Sequence, residues 1–233
     1  MTNKFQIFNK SSERMPEVSD TSIDLAVTDP PFNIGCCFGG IVDDAPHTAY
    51  TQKIQRVISE ISRTLTPQGT AIFIVPAAVR REGRLYEYPE VYSELCQNVG
   101  LQKLDTFRIR AAEEDDHCVT ERDIRANTAG EKSHSEEIFG LVFGKEKRSV
   151  RKFPEGRAYK YISRDGHPCP FPQDFLEDML QTFYHKGDRV LDPFMGTGRL
   201  GVEVISRGGT FTGYEIAPTY FETARRNISA AGA

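Results

Sequence analysis

Cysteine is scarce in this chain, and what there is forms no pattern. Its 233 residues include five cysteines: Cys36, Cys37, Cys96, Cys118 and Cys169. The number is odd and no pair is spaced C-x-x-C, which argues against a disulfide framework and against a zinc site. Reduced thiols and no bound metal are the expectation. Long apolar runs are missing too. None is long enough to span a bilayer, and residues 1–10 lack the apolar stretch of a secretion signal. A cytoplasmic protein that engages no membrane is expected. Nor is there a basic excess. The formal net charge is -4, which counts mildly against a nucleic-acid binder. Internal repeats and low-complexity segments are absent as well.

The sequence does carry alternating strand and helix signals almost throughout. Compact apolar runs at 5–8, 23–28, 70–75, 101–109, 138–143, 189–191 and 210–214 predict strands. Helical spacing predicts helices at 50–65, 85–99, 173–184, 200–207 and 218–230, with a helical turn or two at 11–18. This alternation places the chain in the α/β class with a mainly parallel sheet. The length suits one domain covering 1–233. Two polar stretches interrupt it. Residues 110–136 form a long charged loop, and loops of that length are often functional. Residues 144–166 are basic, crowding Lys145, Lys147, Arg148, Arg151, Lys152, Arg157, Lys160 and Arg164 together. Such a run is usually a solvated surface, with phosphate contact the alternative.

Two segments carry chemistry. In the first, the strand 189–191 runs into Asp192-Pro193-Phe194-Met195-Gly196-Thr197-Gly198 and then a helix. Glycines there let a ligand approach the backbone, and such turns lie at the carboxyl edge of open α/β sheets, where ligands bind. The next strand ends at Glu215, a carboxylate placed to accept both hydroxyls of a ribose. A plain tight turn with a surface Glu is the bland alternative. Asp192 argues against a pyrophosphate, because it puts negative charge where a phosphate loop wants neutral backbone. A cofactor with a cationic amine and no phosphate, such as S-adenosylmethionine, suits it better.

The second is Thr28-Asp29-Pro30-Pro31-Phe32-Asn33, where proline halts the strand 23–28 at its carboxyl end. The exocyclic amino group of a nucleobase is a poor nucleophile because its lone pair is conjugated with the ring. Two acceptors holding both amino hydrogens favour a more tetrahedral nitrogen. Asp29 is one candidate acceptor, and a carbonyl of the stiffened turn, that of Pro30, is the other. Rigid prolines reduce the reorganisation needed. Phe32 offers a face on which a flipped base can stack.

Together these residues make the chain resemble the β-class DNA amino-methyltransferases, which form N6-methyladenine or N4-methylcytosine. Thr-Asp-Pro-Pro-Phe-Asn resembles the family's catalytic motif, and Leu-Asp-Pro-Phe-Met-Gly-Thr-Gly its cofactor motif. The catalytic motif comes first, as in the β order. His167-Pro168-Cys169-Pro170-Phe171-Pro172 and the following helix resemble the segment before the cofactor motif. The resemblance implies a permuted, Rossmann-like, seven-stranded mixed sheet with helices on both faces. It implies S-adenosylmethionine as cofactor and DNA with a flipped base as partner. Asp29, Pro30, Pro31 and Phe32 would form the amino-group site. Asp192, Pro193, Phe194, Gly196, Thr197 and Gly198 would hold the cofactor, with Glu215 on its ribose and His167 and Phe171 near its methionine or adenosine end. An ordinary packed or exposed histidine is the alternative for His167. The Asp-Pro-Pro form favours adenine N6 over cytosine N4.

Two departures stand out. Arg199-Leu200 occupies a place where the family commonly has small hydroxyl residues. The family's target-recognition region is also reduced here to the basic stretch. DNA reading would then fall to 144–166, to 110–136 with Arg122, Arg125 and Lys132, to a second copy in a homodimer, or to a restriction partner. Arg80, Arg81 and Arg84 could help line a DNA cleft or simply be solvated. The competing readings are cytosine N4 methylation, methylation of RNA, and a non-catalytic nucleic-acid-binding subunit.

Overall fold

The computed structural model describes residues 4–111, 137–159 and 171–232. Its main sheet contains β1 (Phe5–Phe8), β2 (Ile23–Thr28), β5 (Leu65–Pro76), β8 (Gln102–Ala111), β9 (Ile138–Gly144), β10 (Ala158–Tyr159), β11 (Arg189–Asp192) and β12 (Thr210–Tyr214). They lie in the order β1-β12-β11-β2-β5-β9-β8-β10. From β1 to β5 all pairs are parallel, while β9 runs antiparallel to both β5 and β8. Seven of these strands form the expected mixed sheet. The two-residue β10 is an eighth, added parallel to the end of β8. The helices among the described residues are α1 (His47–Thr64), α2 (Tyr88–Gln97), α3 (Gln173–Phe183), α4 (Arg199–Ser206) and α5 (Pro218–Ala231). None is long and apolar enough to cross a membrane.

Central strands are buried on both faces, and period-2 geometry sorts their side chains between two cores. Ala26, Ala71, Phe73, Val75 and Leu191 pack with Tyr50, Ile54, Val57 and Ile58 of α1. Leu25, Val27, Ile72, Ile74 and Val190 pack with Leu176 and Met179 of α3, Val204 of α4 and Ile228 of α5. The chain thus leaves β2 toward one face through α1 and leaves β11 toward the other through α4. Strand order reverses between β11 and β2, which makes their carboxyl edge the switch point where open α/β sheets bind ligands.

Three local expectations need correction. Residues 11–18 form turns rather than a helix. Pro16 removes a helical donor, and the segment is too short to offset the cost of helix nucleation. It is held instead by α1, where Met15 N–H donates to Glu60 Oε2 at 2.6 Å and Arg63 Nη2 donates to the Met15 carbonyl at 2.9 Å. The predicted helix at 85–99 begins only at Tyr88. Before it, β6 (Ala78–Arg81) and β7 (Arg84–Glu87) form a hairpin whose turn residues Glu82 and Gly83 have φ of 51° and 74°. Finally, β5 starts at Leu65 rather than at the expected residue 70, running through Pro67 and Gly69 with a register shift against β2. A second hairpin, β3 (Cys37–Phe38) with β4 (Ile41–Val42), was not foreseen.

The turn after β11 sits close on β12 because Gly213 has no side chain. A Cβ there would collide with the Met195 sulfur and lie 2.7 Å from the Phe211 ring. The contact is reinforced by Met195 N–H donating to the Tyr214 carbonyl at 2.9 Å. Gly213→Ala is therefore expected to cost about 1–3 kcal/mol through overpacking, measured by urea unfolding. An unchanged midpoint would contradict the close seating of this turn.

Candidate active site

Both motifs leave the sheet from neighbouring strands. β2 ends at Thr28 and passes into Asp29, while β11 ends at Asp192. The Thr28 hydroxyl donates to Asp192 Oδ1 at 3.1 Å, joining residues 164 positions apart. The same oxygen accepts the Phe194 N–H at 3.0 Å. Asp192 is 2 % exposed. Burial pushes its carboxyl up to about 7, and the nearby Glu215 charge acts in the same direction.

Glu215 closes the other wall. Its Oε2 accepts Gly196 N–H at 3.0 Å and its Oε1 accepts Ala217 N–H at 2.7 Å. Burial raises its proton affinity, and these amides partly oppose the shift. A carboxylate has about four acceptor positions, so two amides leave capacity for a pair of hydroxyl donors. Below the turn, Gly198 has φ 80°, and a Cβ there would meet Ala224 and Ile228 at 2.9 Å. This position requires glycine both for its backbone and for the close approach of α5.

The catalytic-type turn is stiffened from behind. Asn33 is fully buried with φ 60°, a conformation asparagine tolerates better than most residues. Its side chain donates to the Ala45 carbonyl at 2.9 Å and accepts the Ala45 N–H at 2.8 Å, closing the loop that contains β3 and β4. The Tyr88 hydroxyl donates to the Phe32 carbonyl at 2.7 Å. Behind it, the hydroxyls of Tyr50 and Tyr92 are 2.8 Å apart. Burial raises the proton affinity of all three phenols, which therefore stay neutral donors.

One cavity brings the two motifs together. Asp29, Pro30, Pro31 and Phe32 line it with Asp192, Phe194, Gly196, Thr197, Glu215 and Phe171. Pro193 and Gly198 do not line it; they shape the turn beneath. His167 lies outside the described residues, as do Cys118 and Cys169. Cys36, Cys37 and Cys96 are free thiols, and no group of three metal-ligating side chains occurs among the described residues.

The cavity also contains residues that sequence reasoning missed. Asp43 follows β4, and its Oδ2 accepts the Ile34 N–H at 3.3 Å. Burial pushes its carboxyl up to about 6. Lys53 comes from α1 and Arg199 from the start of α4. Arg199 was noted in the sequence only as a departure. Nothing in the composition around Asp43, Lys53 or the buried tyrosines marks them, because their place is set by tertiary packing.

The chemistry of this donor set fits a cationic nucleoside better than a nucleotide. The Phe194 and Gly196 amides, which would cradle a phosphate, are engaged by the carboxylates of Asp192 and Glu215. The walls themselves carry four acids: Asp29, Asp43, Asp192 and Glu215. Fold and cleft together define a Rossmann-like α/β enzyme with a nucleoside-type cleft at its switch point.

Comparison with known proteins gives the family. The profile described as DNA methylase matches residues 80–226. DNA adenine methyltransferase YhdJ of Escherichia coli (strain K12) is 25% identical over 244 residues, covering 93% of this chain and 80% of that protein. Type II methyltransferase M.HpaI of Haemophilus parainfluenzae is 23% identical over 239 residues, covering 95% and 73%. Among solved structures, the PvuII cytosine-N4-specific DNA methyltransferase superposes with a TM-score of 0.73 at 15% identity, covering 97% of this chain and 87% of that one. The M1.HpyAVI complex with S-adenosylmethionine gives 0.63 at 17%, covering 96% and 98%. The chain belongs to the DNA methylase family and is an S-adenosylmethionine-dependent DNA methyltransferase.

The buried Asp192 has a consequence for stability. Its folded-state pKa of about 7 exceeds the value of about 3.9 for an unfolded-chain Asp. Between these values the folded chain binds the extra proton, so this group's contribution to stability falls as pH rises from about 4 to about 7. Asp192→Asn is expected to flatten that part of the pH profile, measured by thermal unfolding without ligand. An unaltered slope would show that Asp192 does not titrate in this way.

Proposed function

We propose that this chain transfers the methyl group of S-adenosylmethionine to the exocyclic amino group of a base flipped from duplex DNA, with adenine N6 preferred. The observation that carries the reading is the shared cavity, in which Asp29–Phe32 faces the same space as Asp192 and Glu215. The bond from Thr28 to Asp192 sets the spacing of the two motifs. When bound, the cofactor supplies an electrophilic methyl group on a positively charged sulfur. Glu215 would hold its ribose hydroxyls, and Asp192 its cationic amine.

The remaining work falls to the chain's own residues. Asp29 accepts one hydrogen of the target amino group, and a carbonyl of the proline turn, that of Pro30, accepts the other. This aims the nitrogen lone pair without reorganisation of the turn. Phe32 stacks on the base and partly offsets the few kcal/mol lost on unstacking it. Tyr88 positions Phe32 through its carbonyl. Held in such geometry, the two reactants can gain about 7–11 kcal/mol from proximity and orientation. The preference for adenine rests on the Asp-Pro-Pro form of the motif, and the likeness to an adenine enzyme supports it.

The basic stretch contributes less to DNA contact than its sequence suggests. Arg148 Nη2 donates to the carbonyls of Gln68 and Gly69 and to the Thr70 hydroxyl. Lys152 pairs with Asp105 at 2.6 Å, and Arg157 Nη1 donates to both oxygens of Asp178 at 2.9 and 2.8 Å. These cations fasten residues 144–159 to the sheet and α3. We therefore assign phosphate contact chiefly to the exposed Arg84 at the tip of the β6–β7 hairpin, with Arg122, Arg125 and Lys132, which lie outside the described residues and among several acids, as a further source.

Incubation of unmodified DNA with labelled cofactor, digestion and nucleoside mass spectrometry test the reading. N6-methyladenine is expected. Asp29→Asn should lower kcat by about 10²–10³-fold while cofactor affinity changes little. N4-methylcytosine as the sole product would overturn the adenine preference. Product on RNA alone would overturn the DNA assignment. Absence of any product would leave a non-catalytic binding subunit.

A further inference from the structure

We propose that Leu85, on the outer face of the β6–β7 hairpin, is the apolar wedge that enters duplex DNA where the target base leaves it. The inference rests on the base-flipping reading above. An extruded base leaves its neighbours unstacked, and an apolar side chain inserted at such a step offsets part of the cost.

Leu85 is 57 % exposed and belongs to neither core. The large apolar side chains left exposed among the described residues are Ile41, Val42, Leu85 and Ile216. All but Leu85 line the cleft. The hairpin register explains where Leu85 points. Val79 pairs with Tyr86 and Arg80 with Leu85, so the pleat sends these two pairs to opposite faces. Val79 is buried and Tyr86 packs on a core, which leaves Leu85 directed away from the body. Positive φ at both Glu82 and Gly83 gives the tight two-residue turn that matches strand twist.

The inner face fastens the hairpin to the catalytic-type turn. The Tyr86 ring stacks on His47 with centroids 3.4 Å apart. Arg81 pairs with Asp44 and donates to the Ala45 carbonyl at 3.2 Å. Ala45 is the residue whose backbone the Asn33 side chain brackets. Three residues after Leu85 comes Tyr88, whose hydroxyl holds the Phe32 carbonyl. Three residues span at most about 11 Å, and a major groove is about 12 Å wide. Leu85 thus stands within a groove width of the tyrosine that supports the base-stacking turn.

The surrounding charges suit a DNA backbone. Arg84 is exposed beside Leu85, and Arg80 lies across the hairpin from it. The acids are Glu82, whose charge acts on His47 of the inner side, and Glu87, at the root of the hairpin.

The methylated position, once mapped, supplies the probe: a duplex with 2-aminopurine there, whose fluorescence is quenched in the stack and rises on extrusion. Wild type at saturation should raise the signal. Leu85→Ala should lose most of that rise, and Leu85→Met should keep it. On unlabelled paired duplex, Leu85→Ala should lower kcat/KM about tenfold. With the target base mispaired, extrusion costs less, and this variant should return to within about threefold of wild type. Calorimetric affinity for S-adenosylmethionine should not change. An undiminished rise in Leu85→Ala would overturn the proposal, as would equal loss on paired and mispaired targets. A shift in sedimentation with an undiminished rise would place Leu85 between copies of the chain and overturn it as well. If wild type methylated no position or gave no rise, the base-flipping reading itself would fail, which is a different outcome from a defect confined to Leu85→Ala.

Discussion

Everything at the site depends on the seam between β2 and β11. The two strands share only two paired positions, Val190 with Leu25 and Leu191 with Ala26. Side chains clamp both ends of this short ladder. At one end Arg189 grips Asp24 through its Nε at 2.8 Å, its Nη2 at 2.9 Å and its own backbone N–H at 3.0 Å. At the other, Thr28 donates to Asp192. A slip of one residue would reverse every side chain between the two cores. It would also carry Asp29 away from the turn it must face. The seam joins strands from opposite parts of the chain, so the catalytic-type and cofactor-type turns meet only once the whole sheet has assembled.

Much of this was legible in the sequence, for reasons that differ by element. The central strands were readable because burial on both faces demands compact apolar runs, and Asp29-Pro30 marked where β2 must stop. The order of the two motifs forecast the permutation. The hairpins were not readable. β3–β4 has two residues in each strand, and the β6–β7 turn depends on positive φ at Glu82, a residue type with no marked preference for it. Tyr88 reads as a helical residue, and nothing local says that its hydroxyl reaches Phe32. The basic stretch misled in the opposite direction, because sequence shows charge but not where its partners Asp105 and Asp178 will be.

The supports around the two turns differ in kind. The turn after β2 is held largely by neutral groups, the Asn33 amide, the Tyr88 hydroxyl and prolines, with the Asp43 carboxylate accepting the Ile34 N–H just beyond it. The neutral groups fix carbonyls and φ angles beside the place proposed for a neutral amino group. The turn after β11 is held by ionisable groups, Asp192 and Glu215, each of which accepts backbone amides. Each kind of support suits what is expected to bind beside it, a neutral base in one case and a positively charged cofactor in the other.

This second arrangement carries a cost when the cleft is unliganded. Burial raises the proton affinity of both Asp192 and Glu215, and the Glu215 charge raises that of Asp192 further, so ionising both there is unfavourable. A cation entering the cleft reverses the balance, because its charge favours the ionised forms that burial disfavours. Binding should then be linked to release of protons and to a gain in stability that grows with ligand concentration. The acids proposed to meet a positively charged cofactor are thus the same groups whose burial weakens the fold without it. The bond from Thr28 to Asp192 joins one of these acids to the strand that presents Asp29, so a change in the ionisation of Asp192 is felt there directly.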